Sequence, residues 1–544
     1  MKKKCFIIFL SCLIFPGALI SQEVIGTAEE KYFDFLALRG LVQSPTLNFR
    51  TLSDNVWNIG GTISHPWQEQ NLGYFQPLFD DFSVRVYGPD LFMSVNTAAP
   101  YGHNDGVLWQ GRGFNTRLRG GARVEGRGLE LTFMPHFAFS QNAYFSIMPS
   151  PHDSKFGYIW GYAPNVGADA PQRFGDRPFF AWDFGDSEIR YTWRNFTVGF
   201  GTQAIWLGPA FKNPILHSNN APTYPRFDIG LRRQPIILPG LAWYIGDIEA
   251  RLWTGRLTGS DFFNYDDSNR HTMFHGAAFA YAPSFLPGLT FFANWVNLMH
   301  WEWRNLRHFL PFSSELRGNR LESDMKASFG FSLAFPQVGF EMFFEMGIDD
   351  HTHWLHHPFH STVYTGGFRK ALRLIPQRNI YGLIKFEFNW MEMTQGFQLQ
   401  WPYSFYFHHQ MSRGYTNRGQ WLGNGVSPGG NSQYLSFTVF YPQGNSTIFI
   451  SRNNPDNNYI WAKAVNAEAA AGNLNYLYYR SFRANFLLGI NKNYFLNTNF
   501  LLFGGITYNL IFNPLYYYSR LPGLDRNNVH RHNFSFQLGI RLLL

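Results

Sequence analysis

The last twelve residues of the chain, "NFSFQLGIRLLL" (Asn533–Leu544), alternate between two kinds of side chain. The apolar positions are Phe534, Phe536, Leu538, Ile540, Leu542 and Leu544, and the polar or small positions between them are Asn533, Ser535, Gln537, Gly539 and Arg541. Successive side chains of a β-strand point to opposite faces. The pattern therefore predicts a strand with one face against lipid and the other toward a polar lumen.

The same alternation recurs upstream. It runs from Phe482 to Ile490 and again from Phe500 to Phe512, with "NKN" (Asn491–Asn493) between them as the predicted turn of a hairpin with a short periplasmic connection. Further alternating runs extend back to "FSVRVYGPDLFMSV", and together they predict about 14 to 20 strands. The fold class we expect is all-β, a large antiparallel transmembrane β-barrel.

Composition agrees with this fold class. Aromatic residues make up 19% of the chain, yet the mean hydropathy is −0.23 and only 15% of residues are charged. No run is long and apolar enough for a transmembrane helix, and the charge is too sparse for a nucleic-acid binder. A soluble β-sandwich or propeller is the alternative. Aromatic residues at the expected strand ends predict interfacial girdles; they are Trp390, Trp401, Tyr403, Tyr406 and Tyr516–Tyr518.

The N-terminus resembles an export signal. Lys2, Lys3 and Lys4 precede an apolar run, and small residues near Ser21 offer a cleavage site, which predicts a signal peptide over residues 1–21. Removing it would take the formal charge from +8 to +5. Both cysteines, Cys5 and Cys12, lie in this segment, so the mature chain would have no disulfide. A lipoprotein anchored at Cys12 is the alternative.

The first mature residues read differently from the rest. In "TAEEKYFDFLALRGLV" (Thr27–Val42), Thr27 is a candidate N-cap and Gly40 a candidate stop. We expect a short helical segment over residues 22–55, on the periplasmic side or in the lumen, and one barrel with extracellular loops over residues 56–544.

Catalytic and metal sites are weaker interpretations. Glu341 and Glu345 share a strand face, and a carboxylate pair can serve glycoside hydrolysis. Lumen walls are polar by default, however, and His217 beside Ser218 implies no triad. Five histidines with neighbouring acids could bind a metal; they are His351, His353, His356, His357 and His360, with Asp349 and Asp350. We expect no enzyme, cofactor or metal.

An arginine-rich stretch is more informative. "GRGFNTRLRGGARVEGRG" would line a wall with guanidinium groups, which bind carboxylates and phosphates; its arginines are Arg112, Arg117, Arg119, Arg123 and Arg127. Together with Trp, Tyr and Asn, this surface suits a sugar polymer, particularly an acidic one. A porin lumen, in which the basic residues set ion preference, fits the same residues equally well.

Four ordered motifs decide between these alternatives, because the chain resembles the Wzi family of capsule assembly proteins in each. The motifs are "NDGVLWQGRGFNTRLRGG" from Asn104, "WLGPAFKNPILHSNNAPTYPRFDI" from Trp206, "FEMGIDDH" from Phe344 and "YFHHQMSRGYTNRGQWLGNGVSPGGNSQ" from Tyr406. The chain ends in Leu544, where many outer-membrane barrels have an aromatic residue.

The resemblance implies an outer-membrane barrel of about eighteen strands with a small helical plug. Its implied function is lectin-like, the anchoring of capsular or another surface polysaccharide, with a general diffusion channel as the alternative. The expected partners are polysaccharide and outer-membrane lipid, without nucleic acid, and the expected state is a monomer. Chemistry and motif position select the candidate ligand-binding residues, which are Arg112, Arg117, Arg119, Arg123, Trp206, His217, Asn219, Asn220, His408, His409, Tyr415 and Arg418.

The loop "NPILHSNNAPTYP" is too irregular to face lipid, where unpaired backbone groups are costly. We expect it to lie in the lumen or to cap the extracellular mouth. Asn219 and Asn220 would either meet a polymer there or satisfy the backbone of the loop itself.

Overall fold

The computed structural model describes residues 19–59, 64–73, 75–79, 81–150, 154–159, 167–263, 270–311, 322–349, 362–392, 405–408, 410–426, 428–458, 482–516 and 530–544. Several predictions fall outside these residues. They include most of the signal peptide (residues 1–18), the histidines and the aspartate at 350–361, Trp401, Tyr403, His409, Tyr517 and Tyr518.

Eighteen antiparallel strands close into a barrel, as the alternation and the resemblance predicted. The barrel strands are β1 (Phe82–Asn96), β2 (Gly113–Gly126), β3 (Leu129–Phe133 with His136–Ser140), β4 (Phe179–Asp183 with Glu188–Trp193), β5 (Phe196–Gly201), β6 (Arg226–Leu238), β7 (Trp243–Thr258), β8 (His271–Pro283), β9 (Leu289–His300), β10 (Ser323–Phe335), β11 (Phe340–Asp349), β12 (Thr362–Ile375), β13 (Ile380–Trp390), β14 (Asn431–Tyr441), β15 (Gly444–Asn454), β16 (Ala484–Asn497), β17 (Phe500–Phe512) and β18 (His530–Leu543).

The sheet has 21 strand segments, because β3 and β4 are each interrupted once and the short strand Gln76–Phe79 pairs with β1. Pairing of β18 with β1, from Ser535 opposite Asn96 to Leu543 opposite Tyr87, closes the barrel. One end has tight turns, such as Arg194–Asn195, and the other has nine long connections. By the usual pattern of such barrels, the tight turns are periplasmic and the long loops extracellular.

The predicted faces of the C-terminal strands are correct. Phe536 is 46% exposed on the outside, while its neighbour Ser535 is 1% exposed in the lumen. The predicted turn at Asn491–Asn493 is wrong, because β16 continues through it to Asn497 and the chain turns at Thr498–Asn499. Asn491 and Asn493 simply continue the lumen-facing alternation, so their turn propensity does not act there.

Two of the aromatic residues predicted for interfacial girdles lie elsewhere. Trp390 is exposed at the extracellular end of β13, as a girdle residue should be, but Tyr406 and Tyr516 are buried within the extracellular loops. The hydroxyl of Tyr516 donates to Asp456, and the hydroxyl of Tyr406 donates to the carbonyl oxygen of Ile215. These rings therefore hold loops together rather than contact lipid.

A plug formed by the N-terminal segment fills the periplasmic half of the lumen. Its helix α1 (Ala28–Leu38) begins at Thr27, whose hydroxyl accepts from the Glu30 amide at 3.2 Å, and the chain turns away at Gly40 with φ of 72°. The first barrel strand begins at Phe82, later than the predicted residue 56. Residues Val56–Ile59 instead pair with Leu19–Gln22 inside the barrel.

Aromatic packing fixes α1 against the barrel wall. The Tyr32 ring stacks on Trp67 at 4.0 Å between centroids, and Phe35 stacks on Phe440 of β14 at 4.3 Å. The Trp67 indole N–H lies 3.0 Å from the carbonyl oxygen of Gly444. Burial of these large rings contributes about 1.5–3 kcal/mol for each side chain, so the plug is an integral part of the fold.

Buried ion pairs join the same plug to the opposite wall. The Asp54 carboxylate lies 2.8 Å from Arg232 of β6 and 2.9 Å from Arg251 of β7. Burial alone would raise the pKa of Asp54, but Arg251, Arg232 and Arg190 hold it well below its usual range.

Among the described residues, no helix has the length and apolar character needed to cross a membrane.

Candidate functional site

The irregular segment 202–225, between β5 and β6, folds into the lumen. Glu387 of β13 fixes its middle, because its carboxylate accepts three backbone N–H groups, those of Phe211 (2.9 Å), Lys212 (3.0 Å) and Asn213 (2.8 Å). A carboxylate that accepts several amides is a strong backbone anchor. The prediction that this loop leaves the lipid face for the lumen or the mouth agrees with the structure.

Hydrogen bonds at this loop, the second motif segment, join it to the first and the fourth. The Gly106 amide donates to the Asn219 carbonyl oxygen at 2.8 Å, and the Gln420 side chain donates to the Gly106 carbonyl oxygen at 3.1 Å. The Asn220 side chain donates to the Trp421 carbonyl oxygen at 3.0 Å. Segments more than one hundred residues apart in sequence therefore share one hydrogen-bonded junction, and this junction divides the lumen.

An upper cavity of about 420 Å³ lies on the extracellular side of the junction. Half-buried aromatic rings and side-chain amides line much of it. Its principal side chains are Trp109, Phe174, Trp421, Gln110, Gln172, Gln420, Asn220, Asn453, Asn485 and Asn509. Aromatic faces next to amide donors and acceptors are the groups that bind polyhydroxylated ligands.

The aromatic wall of the upper cavity is built as a cluster. Trp109 and Phe174 lie 5.0 Å apart between ring centroids, and Phe174 also contacts Phe179 at 5.6 Å and Phe262 at 5.7 Å. Packing from behind fixes the orientation of Trp109 and Phe174, while both remain half-buried at the cavity. Rings fixed in this way lose little conformational entropy when a ligand binds.

Two arginines add positive charge to this cavity. Arg483 lies near Tyr516, with its guanidinium carbon 5.9 Å from the ring centroid, and donates to Asn485 at 3.3 Å. Arg531, at the extracellular end of β18, also lines the cavity. Asp456 is occupied by the hydroxyls of Tyr158 and Tyr516. The upper cavity therefore has cationic groups available to an acidic ligand.

A lower cavity of about 400 Å³ lies between the junction and the plug. The segment Tyr101–Asp105 and Lys212 line both cavities, so they form the partition between them. Asp105 accepts from the His103 amide and from the Gln110 side chain, each at 2.7 Å. Burial lowers the pKa of His103 to about 3 and raises the pKa of Asp105.

The arginines predicted to form one wall have different partners in the structure. Arg117 and Arg119 both line the lower cavity, where Arg119 is paired with the buried Asp90 at 2.9 Å. Arg123 is buried among Glu130, Glu125 and Ser53, so it fastens the plug and does not line either cavity. Its guanidinium reaches groups distant in sequence, and a linear pattern of arginines does not reveal these partners.

Trp206 and His217 have internal roles. The Trp206 indole donates to Ala210 at 2.8 Å within the segment. The two ring nitrogens of His217 lie 3.0 Å from the Ile205 carbonyl oxygen and 2.9 Å from the Tyr224 hydroxyl. Burial lowers the pKa of His217 to about 3. The expectation that His217 is presented to a polymer is therefore incorrect, because the ring is 4% exposed and engaged at both ends.

Asn219 and Asn220 satisfy backbone groups of neighbouring loops rather than of their own. Asn219 lines the lower cavity and its side chain donates to the Asn104 carbonyl oxygen at 3.3 Å, while Asn220 lines the upper cavity. Each side chain is half-buried. Both residues build the partition, and of the eleven candidates that the structure describes Asn220 is the one that faces the upper cavity.

The remaining candidates lie in the extracellular loops. Arg112 donates to the Thr97 carbonyl oxygen at 3.0 Å, and Arg418 donates to that of Trp182 at 2.9 Å. Tyr415 is buried, with its hydroxyl 2.9 Å from the Leu216 carbonyl oxygen. The His408 ring accepts from two following backbone amides. None of these four residues lines either cavity, and His409 is outside the described residues.

The carboxylate pair considered for hydrolysis is divided between two structural tasks. Glu341 forms an ion pair with Arg369. Glu345 is buried under segment 202–225, where a side chain at Gly208 would lie 3.0 Å from its carboxylate. Across the described ranges, no group of three or more His, Cys, Asp or Glu side chains is arranged to hold a metal ion.

Residues 181–464, just over half of the chain, match the family described as capsule assembly protein Wzi. The chain belongs to the Wzi capsule assembly family. The match covers segment 202–225, the acidic end of β11 and the fourth motif segment, which ends at Gln433. The Wzi resemblance found in the sequence is thereby confirmed, and with it an outer-membrane β-barrel.

A solved Wzi structure has the same fold. Wzi of Escherichia coli, an outer membrane protein involved in group 1 capsule assembly and a carbohydrate-binding β-barrel, is 12% identical, with a TM-score of 0.58 over 97% of this chain and 100% of its own. OprB of Pseudomonas putida is 10% identical, covering 85% of this chain and 94% of its own, with a TM-score of 0.36. Among curated proteins, none matches significantly.

The sequence interpretation missed most of the upper cavity. Trp109 and Gln110 lie in the first Wzi motif and Gln420 and Trp421 in the fourth, yet charged or histidine neighbours were selected instead. Arg483 and Arg531 fall outside all four motifs. The signal for the first four was the aromatic–amide dipeptide repeated in two Wzi motifs, "WQ" and "QW".

Proposed function

We propose that this Wzi-family barrel binds capsular or another surface polysaccharide in its upper cavity and helps to anchor it at the cell surface. The observation that carries the proposal is the cavity itself, which lies on the side of the long loops and combines fixed aromatic rings with side-chain amides. Family membership and the carbohydrate binding of the Escherichia coli relative support the same conclusion.

Sugar chemistry fits these groups. The C–H face of a pyranose ring is apolar and packs on an aromatic ring, as Trp109 and Phe174 would allow. Its hydroxyls both donate and accept, and so do the half-buried amides of Gln420 and Asn220. We therefore assign binding to Trp109, Phe174, Gln420 and Asn220, and treat the buried residues, Gln110 among them, as the framework that positions them.

Positive charge narrows the class of polymer. Arg483 and Arg531 line the upper cavity, and guanidinium groups pair with carboxylates in bidentate geometry. A polysaccharide that carries uronic acid or another acidic substituent would meet these groups as it packs on the aromatic wall. We propose an acidic rather than a neutral polymer.

Binding without catalysis is the role that the acids support. Glu341 is ion-paired and Glu345 is covered by segment 202–225, so neither is placed as the paired acid and base of a hydrolase. The diffusion-channel alternative is less well supported, because α1 and segment 202–225 occupy the lumen. We propose that the barrel acts as a monomer in outer-membrane lipid.

The test compares cell-attached with released surface polysaccharide in a strain that lacks the protein, with total polymer as the control. We expect attached polymer to fall and released polymer to rise at constant total. Complementation with Trp109→Ala or Gln420→Ala should fail to restore attachment. Trp303→Ala is the matched control, because Trp303 is an extracellular tryptophan, 84% exposed, that lines neither cavity.

Two cavity variants are used so that at least one is a folded protein. Heat-modifiable migration on gels measures folding of the barrel. It should be unchanged in Gln420→Ala even if Trp109→Ala disturbs the aromatic cluster. Full attachment with both folded variants would exclude the upper cavity as the binding site. An unchanged ratio of attached to released polymer in the deletion strain would exclude the anchoring function itself.

A further inference from the structure

The lower cavity contains more positive charge than its own acids neutralise. Five cations line it and form no ion pair within the part of the chain that the structure describes. Lys492 is exposed between the lumen-facing Asn491 and Asn493, so its side chain lies on the outer face. The four that remain are Lys31, Arg117, Lys212 and Lys385. They come from four separate elements, which are α1, β2, segment 202–225 and β13. Positive charge therefore surrounds one enclosed space from several sides.

The surroundings of these cations confirm that the charge is uncompensated. The Lys212 ammonium lies 4.7 Å from the centroid of the Tyr434 ring, and the Lys385 ammonium lies 5.2 Å from that of Phe211. The Nε atom of Arg117 is buried with no hydrogen-bond partner. Ring faces offer only weak compensation compared with a carboxylate.

The acids near the cavity are already occupied. Glu30 is paired with Arg50 at 3.2 Å, and Asp34 lies 3.6 Å from Arg369. The Glu387 carboxylate accepts the three backbone amides described above. These carboxylates are thus bound to other partners and do not balance the four cations.

Other charges at the cavity leave the same excess. Arg119 and Arg541 share the Asp90 carboxylate and Arg541 also pairs with Glu29, so two acids balance these two cations. Asp105 is the remaining carboxylate, and two neutral donors bind it. Burial raises the pKa of Asp105. One carboxylate, already bound by two neutral donors, thus faces four cations.

Buried charge without a partner is costly, so such a space favours a counter-ion. The opposite wall supplies neutral donors, which are the amides of Asn445, Asn491, Asn493 and Gln537 and the hydroxyl of Thr447. We propose that the lower cavity is a binding site for an oxyanion group, a carboxylate or a phosphate, held by Lys31, Arg117, Lys212 and Lys385.

Two sources share this chemistry. Inorganic phosphate is one, and the acidic group of a sugar is the other, because Lys212 and Asp105 line the upper cavity as well. The anion site stands on the charge of the lower cavity alone. It does not depend on the polysaccharide proposal, which rests on residues of the upper cavity.

The test is isothermal titration calorimetry on the full-length protein in detergent micelles, at constant ionic strength. Inorganic phosphate, glucuronate and glucose are the three probes. We expect saturable binding of phosphate, of glucuronate or of both, and none of glucose. Phosphate alone would identify a free oxyanion as the ligand, whereas glucuronate would identify the acidic group of a sugar.

Charge removal makes the assignment specific. Lys31→Gln and Lys385→Gln should each weaken anion binding about tenfold or more, the loss expected for one charge-assisted hydrogen bond. Lys370→Gln is the matched control, since the Lys370 ammonium donates to the Val338 carbonyl oxygen at the periplasmic turn and lines neither cavity. We expect it to bind as the parent protein does.

Three results would overturn the proposal. The first is no saturable binding of either anion, the second is equal affinity in the lysine variants and the parent, and the third is equal binding of glucose. Should Lys31→Gln unfold the plug, Lys385→Gln still tests the site from the barrel wall. Normal polysaccharide attachment with no anion binding would refute this site and leave the anchoring function intact.

Discussion

Replacing Glu387 by glutamine should release segment 202–225 from the barrel wall. In the parent protein, both carboxylate oxygens accept backbone N–H groups at 2.8–3.0 Å. An amide has nearly the same shape, but one of its two ends is a donor and would face an N–H group. At least one of the three hydrogen bonds is lost, and the others lose a charged acceptor.

The magnitude follows from hydrogen bonds to a charged group, which contribute about 1.5–3 kcal/mol each. We expect a loss of about 2–4 kcal/mol, or roughly a 30-fold to 900-fold larger open population of the segment. Hydrogen exchange resolved by mass spectrometry measures this opening directly. Exchange of the amides of residues 211–213 should accelerate by that factor, while the strands of the barrel stay protected.

Glu341→Gln supplies the control, because Glu341 lies on the neighbouring lumen wall and pairs with Arg369 instead of the segment. Its exchange at residues 211–213 should equal that of the parent. Unchanged exchange in Glu387→Gln would refute the claim that this carboxylate anchors the segment. Equal acceleration in both variants would show that any loss of lumen charge loosens the segment.

Three further predictions concern the plug, a buried histidine and the partition. Asp54→Asn should lower the free energy of unfolding by about 3–5 kcal/mol, since Arg232 and Arg251 each lose one charge-assisted hydrogen bond and keep only Glu130 and Asp228 as counter-charges. In the same thermal denaturation assay, Asp261→Asn, from an exposed ion pair, should change the free energy of unfolding by at most about 1 kcal/mol. Burial lowers the pKa of His217 to about 3, so on acidification this histidine takes up a proton in the unfolded chain before it does in the folded protein. The free energy of unfolding should therefore be full above pH 6.5 and fall below it, by about 2 kcal/mol at pH 5. Calorimetric melting of His217→Gln should show a shallower dependence on pH. Burial and repulsion from Lys31 lower the pKa of Lys212 to about 8, against the attraction of Glu387 and Asp105. The affinity for phosphate should therefore decline above pH 8. The same decline in Lys212→Gln would show that another group causes it.

Alternation along the strands was enough to predict the barrel, because lipid outside and polar groups inside impose a period of two on each strand. Phe534, Phe536 and Leu538 show this period plainly. Turns were harder to place, as "NKN" illustrates. Asn, Lys and Asn favour a turn in isolation, but the pairing of β16 with β15 and β17 extends through them.

The site was less predictable because some polar side chains of the lumen face a cavity, whereas others are buried by partners within the protein. Arg123 and His217 look like ligand contacts in sequence, but their partners come from distant segments and bury them. Trp109 and Gln420 look like ordinary loop residues, and only the junction of three Wzi motifs brings them to one cavity. Loop packing decides which polar side chains face a cavity, and the spacing of residues in the sequence does not predict it.

The seam between the first and last strands has a consequence for biogenesis. Arg541 of β18 contacts Asp90 of β1 and also Glu29 at the start of α1, which lie 451 and 512 residues before it in the chain. The N-terminal segment leaves the ribosome first, but this contact cannot form until the last strand has arrived. We expect an inserting barrel to stay hollow until its final strand closes it, so that docking of α1 marks the end of assembly.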